Sequence, residues 1–284
     1  MNGDIEDVID CMARMKGEEQ PFAVATVVRS EGATAARIGA KAVVRADGTM
    51  VGWVGGGCTL GAVKRAAANA LVDGRARLIR VRPDEAGLSE DGAEDFTNSC
   101  ASGGTADIFI EPVAPRPALI VLGASPTALA LADLAKRLGF AVTAAALSGD
   151  VDAFASADRR LSSFDLSAEP RAGASYVVVA TQGKRDRDAL KAALATGAAY
   201  VAFVGSRRKA AQLVESLAAD GVDPTRLAAL RSPAGLHIGA VTPAEIALSI
   251  LTEIVAERRL GAGALRGEND LKIADSAAAG SCCA

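Results

Sequence analysis

The chain has 284 residues, 50% of them hydrophobic, with 31 basic and 34 acidic side chains for a formal net charge of −3. That length suggests about two domains and is ample to bury a core without disulfide or metal staples. The balanced charge leaves no electrostatic footprint for nucleic acid, and the apolar content excludes a disordered chain.

Apolar stretches such as residues 118–122 and 176–180 fall far short of the roughly 20 residues that a bilayer span needs. No transmembrane segment is therefore expected. The start is acidic, with Asp4, Glu6, Asp7 and Asp10, and lacks the basic and apolar regions of a signal peptide. Five cysteines, Cys11, Cys58, Cys100, Cys282 and Cys283, are irregularly spaced and contain no C-x-x-C. They do not read as a disulfide framework, and a cytoplasmic location with reduced thiols is expected. The single histidine, His237, leaves no His-rich zinc site, and a Ser-His-Asp triad only if His237 serves it.

Along the chain, Ile5, Val8, Ile9, Met12 and Met15 recur at helical spacing and predict an opening amphipathic helix. Residues 22–29 read as a strand. Residues 41–46 and 49–54 flank Asp47-Gly48, a hairpin turn signal. After Gly55-Gly56-Gly57-Cys58, the apolar positions Leu60, Val63, Ala67 and Leu71 predict a helix ending near Gly74. Residues 77–81 and 105–110 are further strands, with a long polar loop expected over 83–104. Three prolines in Glu111-Pro-Val-Ala-Pro-Arg-Pro117 predict an extended linker.

From residue 118 the rhythm alternates strand and helix. Strands are predicted at 118–122, 140–146, 175–180 and 200–204, and helices from Gly123 to about Leu138, at 186–196 and at 207–219. A last helix at 243–259 opens with the capping box Thr242-Pro-Ala-Glu245. This alternation implies a parallel, doubly wound sheet. The expected organisation is an α+β domain over 1–112, a Pro-rich linker over 113–117, a Rossmann-like α/β domain over 118–260 and a disordered tail over 261–284.

Three places are suited to chemistry. At Gly55-Gly56-Gly57-Cys58, consecutive glycines let a ligand approach the backbone, and the following helix start favours an anion and a thiolate. A tight turn with a buried cysteine is the alternative. At Asn98-Ser-Cys100-Ala-Ser-Gly103-Gly104-Thr105 a second cysteine stands beside glycines at the mouth of a strand. The two loops would serve one ligand if they converge, and an incidental loop cysteine is the alternative. Gly123-Ala-Ser125-Pro-Thr-Ala128 occupies the place of a dinucleotide fingerprint, but Ser125 replaces the second glycine and Pro126 removes an N–H. No acid stands directly at the end of the second strand, where Ala144-Ala-Ala146 lies, and NAD(P) binding by the usual mode is not expected. Gly205-Ser-Arg-Arg-Lys209 reads as a phosphate site or a solvated helix start, His237 as structural or exposed, and Cys282-Cys283 as a soft-ion pair or an idle tail.

Taken together, Val27-Val-Arg-Ser-Glu-Gly32, Asp47-Gly48, Gly55-Gly-Gly-Cys58, Cys100-Ala-Ser-Gly-Gly-Thr105 and Ile110-Glu-Pro112 resemble the N-terminal domain of the XdhC/CoxI family, the xanthine dehydrogenase accessory factors. Gly205-Ser-Arg-Arg-Lys209, Leu230-Arg-Ser-Pro233 and the run Gly235 to Glu245 resemble that family's Rossmann-like domain. The resemblance implies a chaperone, more a non-catalytic factor than an enzyme. Such a chaperone binds molybdenum cofactor, supports its sulfuration with a cysteine desulfurase and delivers it to a molybdenum hydroxylase. A homodimer is the expected assembly. Gly55, Gly56, Gly57, Cys58, Cys100, Gly103, Gly104, Gly123 and Ser125 would then contact the cofactor, with Cys58 and Cys100 as soft ligands to its metal. The family's Gly-Ala-Gly-His-Val-Ala and Thr-His-Asp are here Gly123-Ala-Ser-Pro-Thr-Ala128 and Thr181-Gln182-Gly183-Lys184. That departure resembles the CoxF-like branch of carbon monoxide dehydrogenase clusters, and it directs attention to Cys282-Cys283 as a copper pair. The rival readings are an NAD(P)-dependent oxidoreductase and a copper or thiol delivery factor.

Overall fold

Runs of residues that alternate between two buried faces set the architecture. The computed structural model describes residues 7–83, 92–97, 104–167 and 175–261. The chain divides into two units, Met1–Pro115 and Arg116–Ala284, with the division inside the expected linker.

In the first unit, helix α1 (Val8–Gly17) precedes strands β1 (Phe22–Glu31), β2 (Lys41–Arg45) and β3 (Met50–Gly52). Helix α2 (Gly57–Asp73) leads to β4 (Arg77–Arg82), β5 (Glu94–Thr97) and β6 (Thr105–Val113). The six strands form one sheet in the order β3-β2-β1-β6-β4-β5. All its pairs are antiparallel except β4 with β5. Ala23, Ala25, Val27, Ala42, Val44, Ile79, Val81, Ile108 and Ile110 turn one face to α2, which meets them with Ala62, Val63, Ala66, Ala67 and Ala70. Alanine dominates that helix face, so helix and sheet approach closely. On the opposite face, Phe22, Val24 and Val43 pack against Cys11 and Met15 of α1. Gly74, at φ 69°, ends α2 as its spacing predicts.

Two expectations here need correction. The long loop over 83–104 contains a strand, β5, whose sequence Glu-Asp-Phe-Thr carries no apolar alternation because it is an edge strand held by one neighbour. The linker prolines do not exclude a strand either. Pro112 lies within β6, opposite Ala23. β4 pairs with β6 only as far as Ile110, so Pro112 sits where one side of the strand is already open.

The second unit runs β7 (Ala118–Leu122), α3 (Pro126–Arg137), β8 (Ala141–Ala145), β9 (Arg159–Leu161), β10 (Ser175–Val179), α4 (Asp186–Ala195), β11 (Tyr200–Phe203), α5 (Arg207–Ala219), α6 (Pro224–Ala229) and α7 (Pro243–Leu260). Its five strands are all parallel, in the order β11-β10-β7-β8-β9. The first strand of the unit is therefore central, with the second and third on one side and the fourth and fifth on the other. This is the Rossmann order, with its topological switch between β7 and β10. Leu119, Val121, Val142, Val178 and Ala202 face α3 and α7, whereas Ile120, Leu122, Val177, Val179 and Phe203 face α4, α5 and α6. The sheet is thus covered on both sides, and its strands read as continuous apolar runs for that reason. β9 and α6 are additions to the predicted elements. The α7 capping box is present, with Thr242 accepting from the Glu245 N–H and Glu245 accepting from the Thr242 N–H.

Candidate functional site

The Gly-Gly-Gly-Cys turn joins β3 to α2, and its three glycines do different work. Gly55 is buried at φ 146°, and a Cβ there would lie 3.0 Å from Thr59 Oγ1. Its own fold demands a glycine. Gly56 and Gly57 are exposed, do not have positive φ, and would meet nothing within 4 Å if they carried a Cβ. Nothing among the described residues requires glycine at those two positions. Their effect is to leave the first turn of α2 bare, with no side chain capping it and no acidic residue in it. The N–H groups there are suited to an anion. Trp53, the only tryptophan, is 48% exposed two residues before Gly55 and offers a flat surface for stacking. Sequence reasoning does not single it out, although a lone tryptophan beside a glycine run in a chain with 4% aromatics is a usable signal.

Cys58 is the second residue of α2. Its side chain lies outside the described residues, as do Cys100, Gly103, Cys282 and Cys283 and the tail from residue 262. The expected meeting of the two Gly-Cys loops therefore falls outside the described residues as well. Gly104 is described: a Cβ there would lie 2.7 Å from the Ala33 carbonyl carbon and oxygen. Close backbone packing accounts for that glycine. Cys11 is buried in the α1 core. Among the described residues, no group of three or more His, Cys, Asp or Glu side chains is placed to hold a metal ion. No helix among them is long and apolar enough to cross a membrane.

The switch point of the second unit is nearly closed. The cavity there, beside Gly123, Ala146, Asp150, Thr181 and Lys184, measures about 10 Å³. Gly123 adopts φ 100°, and a Cβ on it would lie 2.5 Å from Thr181 Cα. Its glycine serves contact with the turn after β10. Ser125 caps α3, its hydroxyl accepting from the Ala128 N–H at 3.1 Å, and Pro126 follows at the first helical position. Donors that a pyrophosphate would use are thus capped or missing. Lys184 Nζ meets Asp150 Oδ2 at 3.0 Å on the same crevice.

Below that crevice, Asp186 is buried and accepts from the Thr181 hydroxyl, the Gly183 N–H and Lys209 Nζ. Burial pushes its carboxyl up, but Lys209, Thr181 and the Gly183 N–H outweigh that and hold it below the ordinary carboxylate value. Lys209 of the Gly-Ser-Arg-Arg-Lys segment is therefore a structural tie between α5 and α4. Ser206 caps α5, and Arg207 and Arg208 remain exposed.

The larger opening lies elsewhere in the second unit. A cleft of about 1020 Å³ is bounded by α5, α6, α7 and the segment 231–240. Val214, Leu227, Leu230 and Ile246 give it apolar walls, and Arg207, Arg231, His237, Ser249, Glu253 and Glu257 give it polar ones. Arg231 and Glu257 form a largely buried pair at 3.0 Å, and Glu253 accepts from the Tyr200 hydroxyl at 2.7 Å and the Gly235 N–H at 2.9 Å. Burial, then the Glu253 carboxylate, holds the Tyr200 hydroxyl protonated well above its ordinary pKa. Gly235, at φ 91°, would place a Cβ 2.3 Å from Ser249 Oγ, so the segment can lie this close to α7 only with glycine there.

An α+β sheet unit followed by a Rossmann-ordered unit defines the class of protein. Residues 16–82 match the family model of the XdhC and CoxI family, and residues 119–254 match that of the XdhC Rossmann domain. The chain belongs to the XdhC and CoxI family. It is 32% identical over 260 residues to Escherichia coli (strain K12) YqeB, described as uncharacterized, covering 89% of this chain and 46% of that one. It is 29% identical over 166 residues to a probable subunit of xanthine dehydrogenase from Bacillus subtilis (strain 168), covering 55% and 47%. The chain spans about half the length of the curated relatives it matches. A solved Bacillus halodurans chain described as a xanthine dehydrogenase shares 19% identity at a TM-score of 0.45, over 91% of this chain and 98% of that one.

Proposed function

We propose that the chain is a maturation factor for a molybdenum hydroxylase of the xanthine dehydrogenase or carbon monoxide dehydrogenase type. It binds molybdenum cofactor as cargo, supports its sulfuration with a cysteine desulfurase, and passes it to the client. The observation that carries this reading is the uncapped first turn of α2: among the described residues Gly56 and Gly57 have no packing reason to be glycine, and they expose backbone donors beside Cys58. A phosphorylated pterin with dithiolene-bound molybdenum requires that combination of anion cradle and soft ligand. Trp53 supplies a stacking surface for the pterin ring.

Cys58 is the more important thiol in this reading, because the α2 dipole favours its thiolate. Cys100 contributes if its loop reaches the same ligand. The second unit does not take NAD(P) by the usual mode, and the closed switch point and the capped α3 start support that part of the proposal. Full-chain protein purified from a cofactor-producing host tests the reading through its pterin and molybdenum content. Cys58→Ser is expected to fold and to retain about a tenth or less of the cofactor, in line with loss of a ligand or its outer support. Retention equal to wild type overturns the thiolate role.

A further inference from the structure

Two charged side chains on the cleft of the second unit form no ion pair among the described residues. Glu253, half-buried on α7, accepts only from neutral donors, the Tyr200 hydroxyl and the Gly235 N–H. Both of them bond its Oε2, and no group among the described residues reaches Oε1. The neighbouring cation, Arg231, is committed to Glu257 at 3.0 Å. One cation against two carboxylates leaves this wall with a net charge of −1. A half-buried carboxylate held by neutral donors alone favours a cation. Arg207 is the opposite case: it is exposed on the cleft, in a first turn of α5 that holds no acidic residue. Val214, Leu227, Leu230 and Ile246 give the same cleft its apolar walls. The lining thus offers one anion, one cation and an apolar surface.

We propose that this cleft binds a short apolar peptide with both termini free. The peptide ammonium donates to Glu253 Oε1, its carboxylate accepts from Arg207, and its side chains lie on the apolar walls. A plain amine or a plain carboxylic acid satisfies only one of the two charges and leaves the other desolvated without a partner. The volume of about 1020 Å³ is more than a single amino acid fills. It stands at the top of the roughly 300–1,000 Å³ range of small-ligand pockets and suits about two to four residues. Tyr200 and Gly235 fix the Glu253 carboxylate before a ligand arrives, so little further ordering accompanies binding on that wall. The inference does not rest on the cofactor reading of the Gly-Gly-Gly-Cys turn, because every residue it uses belongs to the second unit.

The test is calorimetric titration of the full chain with the tripeptide Leu-Ala-Leu, its N-acetyl form, its C-terminal amide and the polar tripeptide Ser-Ala-Ser. Leu-Ala-Leu is expected to bind below millimolar, and each of the other three about ten-fold or more weaker. Glu253→Gln keeps a carbonyl for Tyr200 and Gly235 but removes the charge, and it is expected to weaken Leu-Ala-Leu about ten-fold or more. Arg207→Gln, on the exposed rim, is expected to weaken Leu-Ala-Leu to the level of its amide and to leave the amide unaffected. Failure of Leu-Ala-Leu to bind below millimolar, or full affinity in folded Glu253→Gln, overturns the proposal. Wild-type protein that binds the acetylated, amidated or polar peptide as tightly as Leu-Ala-Leu overturns it whether or not the variants fold.

Discussion

At the scale of single residues, the glycines separate into those that packing requires and those that it does not. Gly123 and Gly235 are fixed by positive φ and by neighbours within 2.5 Å of any added Cβ. Gly123→Ala is therefore expected to cost at least about 2 kcal/mol in urea unfolding, through strain and backbone collision. Gly57 lies in the first turn of α2 with open space around it. Gly57→Ala should leave stability unchanged or raise it by up to about 1 kcal/mol, since alanine is the better helix former. On the proposed function the same substitution lowers cofactor retention, because a methyl group blocks approach to the backbone. Stability and retention moving in opposite directions is the expected signature; retention equal to wild type counts against the turn as a site.

Acid sensitivity is also a residue-scale property. Burial raises the Asp158 carboxyl, but the Lys136 ammonium, the Val142 N–H and the Arg116 guanidinium outweigh it and hold it below the ordinary value of 3.8. Asp186 is depressed in the same way by Lys209, Thr181 and the Gly183 N–H. A carboxylate depressed by folding contributes stability that is fully present above its unfolded value and is lost as pH falls through its folded value. Unfolding free energy should thus decline on acidification from about pH 4 downward. The slope should be shallower in Asp158→Asn, measured by urea titration at successive pH values. Identical slopes contradict the assignment.

At the scale of elements, legibility follows burial. β7, β8, β10 and β11 are readable because helices cover both faces of the sheet there, so each strand is apolar throughout, and Tyr-Val-Val-Val at 176–179 carries that directly. α7 is readable from its cap, Thr242-Pro-Ala-Glu245. The cap gives a measurable expectation: Thr242→Ala should destabilise by about 1 kcal/mol in thermal or urea unfolding. β5 and β9 escape a sequence reading because each is a short edge strand whose residues are only partly buried, so neither burial nor alternation marks it. Pro112 misleads for a related reason, since β6 loses its second partner before that residue. The Gly-Gly-Gly-Cys turn is legible because glycine and cysteine declare themselves in sequence. The cleft is not, since its walls come from α5, α6, α7 and the 231–240 segment, which are dispersed over some fifty residues. Its glycines and Arg231 stand out in the sequence only through a family resemblance, and His237 reads there as structural or exposed.

At the scale of the molecule, a Rossmann strand order is combined with a narrow crevice at its switch point. Gly123 packs on the β10 turn, Ser125 caps α3, and Asp150 pairs with Lys184. Titration with NAD or NADP should show no binding tighter than about millimolar, or roughly −4 kcal/mol; a micromolar constant contradicts this and revives the oxidoreductase reading. Fold alone does not decide function; the features open to a ligand are the uncapped start of α2 in one unit and the cleft beside α7 in the other. The most direct test of the maturation-factor reading is reconstitution of a cofactor-free molybdenum hydroxylase. Cofactor supplied on the purified chain should restore more hydroxylase activity, and faster, than the same amount of free cofactor, with Cys58→Ser protein giving no advantage. Equal reconstitution by free cofactor and by cofactor offered with the chain would contradict the account.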